Sequence, residues 1–181
     1  PSLAFSFRQA RPHRDHLAPG QRRLIEAVLA GRNAVGILPT GAGKSLCFQL
    51  PALFLKRTVV LVSPLIALMQ DQIAHLVSSG IEAARLDSTV TSGEQLLRED
   101  EIRDGSHDIV LLTPERLQNP DRIAPLRGRV ALFVIDEAHC ISQWGHDFRP
   151  AYLEMRHVIQ ELGNPPVLAL TATAPPELLD D

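Results

Sequence analysis

A lysine and a serine at the end of a glycine-bearing turn are the residues whose types and spacing best suit chemistry. The turn occupies residues 38–45 and has the sequence L-P-T-G-A-G-K-S. Gly41 and Gly43 let backbone N–H groups point inward, because no Cβ stands in the way. Lys44 could then reach the β- and γ-phosphates of a bound nucleotide, and the Ser45 hydroxyl could ligate Mg²⁺. The predicted nucleotide-binding residues of this phosphate-binding loop are Thr40, Gly41, Ala42, Gly43, Lys44 and Ser45.

The sequence on either side of the loop supports this prediction. An apolar run at 33–37 predicts a short buried strand before it, and Leu46, Leu50 and Leu53 recur at helical spacing after it. The strict loop pattern has a glycine where Leu38 stands, so an ordinary strand-to-helix turn is the alternative. A strand before the loop and a helix after it favour phosphate binding, because the helix adds partial positive charge at its N-terminus.

Two acidic residues follow the most apolar stretch of the chain, at 131–135. A carboxylate at the tip of such a strand could hold Mg²⁺ opposite Ser45, which is the role predicted for Asp136. Glu137 could polarise the water that attacks the γ-phosphate. The alternative is that Asp136 and Glu137 are simply exposed to solvent, as acidic residues at the end of a strand often are. Together with the loop upstream, the pair indicates hydrolysis of a nucleoside triphosphate.

The fold predicted to position these residues is α/β, with a doubly wound parallel sheet, because strands alternate with helices. The helix at 93–103 is strongly polar, and its side chains are predicted to face solvent. The predicted strands are 33–37, 58–62, 83–86, 109–112, 131–135 and 167–170, and the predicted helices are 19–29, 46–54, 65–77, 93–103 and 150–162. Ligands bind such sheets at the carboxyl ends of the strands. The loop, Ser63-Pro64, Thr113-Pro114, Asp136-Glu137 and Thr171 all fall at such ends.

Length and composition set the remaining bounds. A chain of 181 residues with 45% hydrophobic residues suits one domain with a filled core. The net charge of −3 does not indicate nucleic-acid binding by the whole surface, so any such binding must be local. Cys47 and Cys140 are predicted to be reduced thiols, and no apolar run reaches membrane-spanning length. Residues 1–16 are predicted to be a loosely structured leader, and 17–181 the folded domain.

Several motifs in order resemble the RecQ family of superfamily 2 DNA helicases. The resemblance covers residues 17–174 and includes S-P-L-I-A-L-M-Q-D-Q, T-P-E-R-L, L-T-A-T-A and D-E-A-H-C-I-S-Q-W-G-H-D-F-R-P at 136–150, besides the loop. It implies the first RecA-like lobe of a two-lobed motor, a mostly parallel sheet flanked by helices on both faces. The implied activity is 3′-to-5′ DNA unwinding driven by ATP and Mg²⁺. We expect the second lobe, with its arginine finger, to be absent from this chain.

The resemblance assigns roles to residues at the predicted edge. By position, Lys44 and Ser45 resemble the family's phosphate and Mg²⁺ contacts, Asp136 its metal-associated carboxylate and Glu137 its catalytic base. His139 matches the histidine that bridges ATP hydrolysis and DNA movement. The positions that match nucleic-acid-binding or coupling motifs are Ser63, Pro64, Thr113, Pro114, Trp144, Phe148, Arg149, Thr171 and Thr173. The alternative for Trp144 and Phe148 is that they pack into the lobe.

Adenine recognition shows the main departure from the family pattern. Gln21 matches the glutamine that reads the adenine edge. Where the family has Phe-Arg ahead of Pro-Gly-Gln this chain has Leu17 and Ala18, and Arg14 stands where an aromatic residue stacks on adenine. Arg14 could replace that stacking with its guanidinium plane. Because the second lobe is expected to be absent as well, we expect weak ATP binding by the fragment alone.

Two other functions remain open at this stage. One is another superfamily 2 translocase or an RNA helicase, and the other is a degenerate lobe that binds nucleic acid without catalysis. Intact Lys44, Asp136 and Glu137 argue against the second. A helicase would be expected in the cytoplasm, associated with the nucleoid, or in the nucleus of a eukaryote.

Overall fold

The computed structural model of the chain describes residues 17–64, 66–86, 92–141 and 155–173. The leader predicted at 1–16 lies outside these residues, and so do Arg14, Trp144, Phe148 and Arg149. Within the described ranges, no helix is both long enough and apolar enough to cross a bilayer.

One sheet of six strands forms the centre of the described molecule, in the order β1-β6-β5-β2-β4-β3. Every neighbouring pair is parallel. The strands are β1 Ala34–Ile37, β2 Thr58–Val62, β3 Ala83–Leu86, β4 Ile109–Leu112, β5 Val130–Ile135 and β6 Val167–Thr171. The predicted α/β class with a parallel sheet is confirmed, and the bounds of β2, β3 and β4 are those predicted.

Helices connect the strands and cover both faces of the sheet. They are α1 Pro19–Leu29, α2 Leu46–Ala52, α3 Ile66–Ser78, α4 Ser92–Asp104, α5 Pro120–Ile123 and α6 Met155–Glu161. Alternate residues of β2 point to opposite faces: Val60 and Val62 belong to one apolar cluster, Val59 and Leu61 to the other. Because β2 and β5 are covered on both sides, they are apolar at almost every position.

The first strand differs from its prediction. The apolar run at 33–37 predicted a buried strand, but β1 is the edge strand, with Val35 54% and Ile37 45% exposed. Among the described strands, β1 pairs only with β6. Only Gly36 is buried, and a Cβ there would lie 2.6 Å from Leu24 Cδ1, so this position has no room for a side chain. Apolar composition does not reveal which strand will lie at the edge.

Short helical turns between β4 and β5, and directly after β5, were not predicted. They are the 3₁₀ helices Pro114–Gln118, Ala124–Leu126 and Ala138–Ile141, together with α5. Such turns are too short to show a helical period in the sequence. The helix predicted at 150–162 is observed as α6, and residues 150–154 lie outside the described part.

Helix α4 is more than the solvated face predicted for 93–103. Glu99 lies within it, and its Oε1 is 3.0 Å from Arg116 Nη2; the side chains are 15% and 2% exposed. Removing one partner of a buried ion pair leaves the other charge inadequately solvated. We expect Glu99→Ala to lower the free energy of unfolding by about 2–3 kcal/mol. Urea titration followed by circular dichroism would measure this.

The matched control is Asp100→Ala on the same helix. Asp100 pairs with Arg103, and both side chains are more than half exposed. An exposed pair contributes about 0–1 kcal/mol. Equal losses in the two variants would contradict a structural role for the Glu99–Arg116 pair.

Candidate active site

The phosphate-binding loop joins β1 to α2 at the carboxyl edge of the sheet. Gly41 and Gly43 have φ values of 80° and 77°, so the turn uses a backbone region that favours glycine. The N–H groups of Gly41, Gly43, Lys44 and Ser45 donate to no other described residue. A Cβ at Gly41 would meet no atom within 4 Å, so the loop borders open space. Free N–H donors beside an open space are what a phosphate group requires.

Gln21, a residue of α1, holds the phosphate-binding loop through hydrogen bonds. Its Nε2 donates to the carbonyl oxygens of Ala42 at 2.7 Å and Gly43 at 3.1 Å, and its Oε1 accepts from the N–H of Ala18 at 2.9 Å. The side chain is only 4% exposed. In this structure the Gln21 amide is therefore engaged by the protein itself. Its predicted contact with adenine stays a prediction.

Lys44 and Glu137 meet across the site, although they belong to distant parts of the sequence. Lys44 Nζ lies 4.0 Å from Glu137 Oε1 and 3.5 Å from the carbonyl oxygen of Leu38. Both side chains are largely buried, at 16% and 24% exposed. Glu137 is the second residue after the end of β5 and has a φ of 52°, which is unusual for a residue with a side chain. Strain of this kind persists where the surroundings fix it, often at functional sites.

Asp136 lies beside this pair in a half-buried position. Burial raises the pKa of the Asp136 carboxyl above its ordinary value, and the charge of Glu137 raises it further. The Glu137 N–H, the Lys44 ammonium and the Gln72 amide act in the opposite direction on this pKa without cancelling the rise. Asp136 Oδ1 accepts the N–H of Glu137 at 3.0 Å, which fixes the carboxylate at the strand end.

The raised pKa has a consequence for stability. Because the folded pKa lies above the unfolded one, the ionised carboxylate destabilises the fold above the ordinary aspartate range, and this cost disappears as pH falls. In protein free of nucleotide and Mg²⁺, we expect Asp136→Asn to raise the melting temperature at neutral pH by on the order of 2 °C. A thermal scan at pH 7 would test this. A lower melting temperature in the variant would contradict it.

Gln72 on α3 is a site residue that sequence reasoning missed. Its side chain helps to lower the pKa of the Asp136 carboxyl, and its Oε1 is buried with no hydrogen-bond partner among the described residues. One signal was available. Gln72 stands three residues after Met69 and four before Leu76, which are both fully buried, so a polar residue occupies the inner face of the helix.

His139 connects Glu137 to the end of β6. Its Nδ1 is 3.2 Å from Glu137 Oε2 and 3.0 Å from Thr171 Oγ1. The Thr171 hydroxyl donates its proton to the carbonyl oxygen of Thr173 at 2.7 Å, so it accepts from the histidine. A carboxylate also only accepts. Nδ1 of this imidazole therefore carries a hydrogen, which faces both Glu137 and Thr171.

Backbone bonds tie the site elements together. The N–H of Leu38 donates to the carbonyl oxygen of Thr171 at 2.9 Å, and the N–H of Asp136 donates to that of Val62 at 2.9 Å. The loop, the acidic pair and the end of β6 therefore belong to one hydrogen-bonded edge.

Most of the predicted nucleic-acid-binding residues that the structure describes are buried. Ser63 and Thr113 are 1% and 4% exposed, and Pro64 and Pro114 are buried as well. Thr171 is fully buried, whereas Thr173 is exposed. The aromatic loop with Trp144, Phe148 and Arg149 lies outside the described residues. The roles of all these residues in binding or coupling stay predictions.

Two oxygen atoms at the site fit a hydrated Mg²⁺ ion. The Ser45 hydroxyl does not cap α2, although Ser45 stands at the start of that helix. The Gln72 side chain affects the pKa of the Asp136 carboxyl, and its Oε1 has no hydrogen-bond partner among the described residues. Hard oxygen ligands and retained water are what Mg²⁺ prefers. Ser45 and Asp136 are thus suited to hold the ion, with Gln72 as an acceptor for its water.

Comparison with known proteins identifies the family. The DEAD/DEAH box helicase family matches this chain over residues 18–181. The chain belongs to the DEAD/DEAH box helicase family. The four letters D-E-A-H that name the family's box stand at Asp136 to His139, the segment that meets Lys44 in the structure.

Individual relatives of this chain confirm the resemblance to RecQ helicases. The chain is 47% identical over 164 residues to the probable ATP-dependent DNA helicase RecS of Bacillus subtilis, covering 90% of this chain and 33% of RecS. It is also 47% identical to the ATP-dependent DNA helicase RecQ of the same organism, covering 28% of that protein. The chain thus spans a third or less of the length of these relatives.

Solved structures agree with the fold. The DUF1998 helicase MrfA bound to DNA and AMPPNP superposes with a TM-score of 0.78 at 22% identity, over 97% of this chain and 27% of MrfA. The helicase Lhr of Mycobacterium smegmatis bound to ssDNA and AMP-PNP gives a TM-score of 0.74 at 23% identity, over 99% of this chain and 26% of Lhr. At these identities the likeness shows the RecA-like fold alone.

Proposed function

We propose that the chain is the N-terminal ATP-binding lobe of a RecQ-like 3′-to-5′ DNA helicase. In the full-length protein this lobe would couple ATP hydrolysis to movement along single-stranded DNA and to unwinding of the duplex. The observation that carries the proposal is the meeting of Lys44 and Glu137 at 4.0 Å beside free loop N–H groups. The names of the relatives with 47% identity, RecS and RecQ, support DNA as the nucleic acid.

The proposed work of each residue follows from its position. The N–H groups of the loop and the Lys44 ammonium bind the triphosphate, whose negative charge replaces Glu137 as the partner of the lysine. Glu137 then orients the attacking water and accepts its proton. His139 holds the Glu137 carboxylate in place through Nδ1. Mg²⁺ bound at Ser45 and Asp136 would neutralise charge on the β- and γ-phosphates.

Coupling to DNA is proposed for two groups of residues. Thr171 is the last residue of β6 and contacts His139, and its hydroxyl donates to the carbonyl oxygen of Thr173, so both threonines are linked to the proposed hydrolytic residues. Trp144 and Phe148 offer faces on which bases could stack, and Arg149 offers a positive charge. Backbone contacts near Ser63 and Thr113 would position the strand without reading its sequence.

Nucleic-acid-stimulated ATPase assays of the full-length protein test the proposal. We expect single-stranded DNA to stimulate turnover, and a partial duplex with a 3′ single-stranded tail to be unwound. Stimulation by RNA in place of DNA would favour an RNA helicase instead. Unwinding only from a 5′ tail would contradict the proposed polarity.

The 181-residue chain by itself is expected to be a poor ATPase. The proposed arginine finger belongs to a second lobe, and an arginine of this kind accelerates hydrolysis by about 10³- to 10⁵-fold in other NTPases. DNA-stimulated turnover by the 181 residues at the rate of the full-length protein would contradict this proposal.

A further inference from the structure

A second polar cavity lies at the opposite edge of the sheet from the nucleotide site. Its volume is about 480 Å³, and its lining includes residues directly before β2, β4 and β5. Because the sheet is parallel, these amino ends share one edge, and the phosphate-binding loop lies at the other. We refer to this as the amino-edge cavity.

Positive charge is concentrated around the amino-edge cavity. Its lining contains Lys56, Arg57, Arg127 and Arg129, and Asp108 is its only carboxylate. Lys56, Arg57 and Arg129 are exposed and form no ion pair with any described residue. In a chain with a net charge of −3, so many unneutralised cations in one place call for an anion.

Four of the polar residues that line the cavity already have partners, namely Thr58, His107, Asp108 and Arg127. Arg127 Nη2 is 2.8 Å from Glu161 Oε2, and both side chains are at least 40% exposed. Asp108 Oδ2 accepts the N–H of Glu82 at 3.0 Å. The exposed ion pair between Arg127 and Glu161 is weak and leaves Arg127 able to turn towards another anion.

Backbone donors add to the side chains. The N–H groups of Lys56, Arg57 and Gly128 donate to no other described residue. Gly128 lies between two arginines in a turn and has a φ of 70°. The lining contains one large apolar side chain, Leu55. The cavity therefore offers cations and N–H donors to an oxyanion, and almost no apolar surface to anchor a peptide side chain.

We propose that the amino-edge cavity binds a backbone phosphate of nucleic acid. Guanidinium groups match the geometry of phosphate oxygens, and contacts of this kind add affinity without depending on base sequence. The site is separate from the nucleotide site and from the strand ends with Ser63 and Thr113. It would hold a part of the nucleic acid that does not contact the carboxyl ends of the strands. The choice of nucleic acid over another phosphate rests on the proposed helicase function.

The salt dependence of DNA binding by the full-length protein is the test. Each lost phosphate contact reduces the slope of log Kobs against log salt by about 1. For the double variant Arg57→Gln/Arg129→Gln, we expect the slope for a fluorescein-labelled oligonucleotide to fall by about 1–2. The control is Arg32→Gln/Arg156→Gln, which removes the same charge from two exposed arginines elsewhere. Equal slopes in the two double variants would overturn the proposal.

Acetylation of Lys56, followed by mass spectrometry, distinguishes the possible occupants. We expect the oligonucleotide to protect Lys56 in the parent protein and to protect it less in the Arg57→Gln/Arg129→Gln variant. Protection by inorganic phosphate or by polyglutamate, with none by the oligonucleotide, would overturn the choice of nucleic acid. These measurements need no ATP turnover, so they can fail or succeed independently of the proposed helicase activity.

Discussion

Replacing Glu137 with glutamine should lower DNA-stimulated ATP turnover by about 10²- to 10⁴-fold, the range for loss of a general base. Glutamine keeps the size of the side chain and can still contact His139, but it cannot accept a proton from water. It also removes the partner of Lys44, which lies 4.0 Å away, so nucleotide binding should be retained or improved. Single-turnover hydrolysis and titration with a fluorescent ATP analogue would separate the two effects.

Glu26→Gln is the control for this variant. Glu26 is an exposed residue of α1 that pairs with Arg22 on the surface. The same chemical change there should leave turnover unaltered. If Glu137→Gln lost nucleotide affinity and turnover in parallel, Glu137 would be a binding residue rather than the proposed base.

Replacing Lys44 with alanine should weaken nucleotide binding and abolish unwinding. A hydrogen bond to a charged group contributes about 1.5–3 kcal/mol, which corresponds to a loss of about 10- to 100-fold in affinity. A further loss of about 10²- to 10³-fold in turnover is expected, because the ammonium stabilises charge that develops in the transition state. The pKa of Asp136 should also rise further, since Lys44 lowers it in the parent protein.

Arg22→Ala, which removes an exposed positive charge from α1, is the matched control. The Lys44→Ala variant also decides between the proposed motor and a degenerate binding lobe. Unchanged unwinding by the full-length Lys44→Ala protein would favour the binding lobe and contradict the proposed role of the loop.

The sheet and its functional edge could be predicted because the relevant signals are local. Runs of β-branched and apolar residues that end before Ser63-Pro64 and Thr113-Pro114 predicted the bounds of β2 and β4. Parallel topology then required the strand ends to share one edge, and this is why Lys44 and Glu137 were expected to meet.

The features that were missed depend on tertiary partners. The exposure of Val35 and Ile37 follows from the position of β1 in the sheet, which its own residues do not encode. Glu99 is polar like its neighbours on α4, and only the folded chain shows that it faces the buried Arg116. The hydrogen bonds from the Gln21 amide to the loop carbonyls likewise appear only in the folded chain, and its predicted contact with adenine stays a prediction.

The hydrogen on His139 Nδ1 is one donor shared by two acceptors from different parts of the site. Glu137 and Thr171 both accept it, at 3.2 Å and 3.0 Å. Any shift that pulls the end of β6 away leaves the hydrogen wholly to the carboxylate, and any shift towards it takes the hydrogen from the carboxylate. A displacement of a few tenths of an ångström at one strand terminus is thereby registered at the residue proposed to remove a proton.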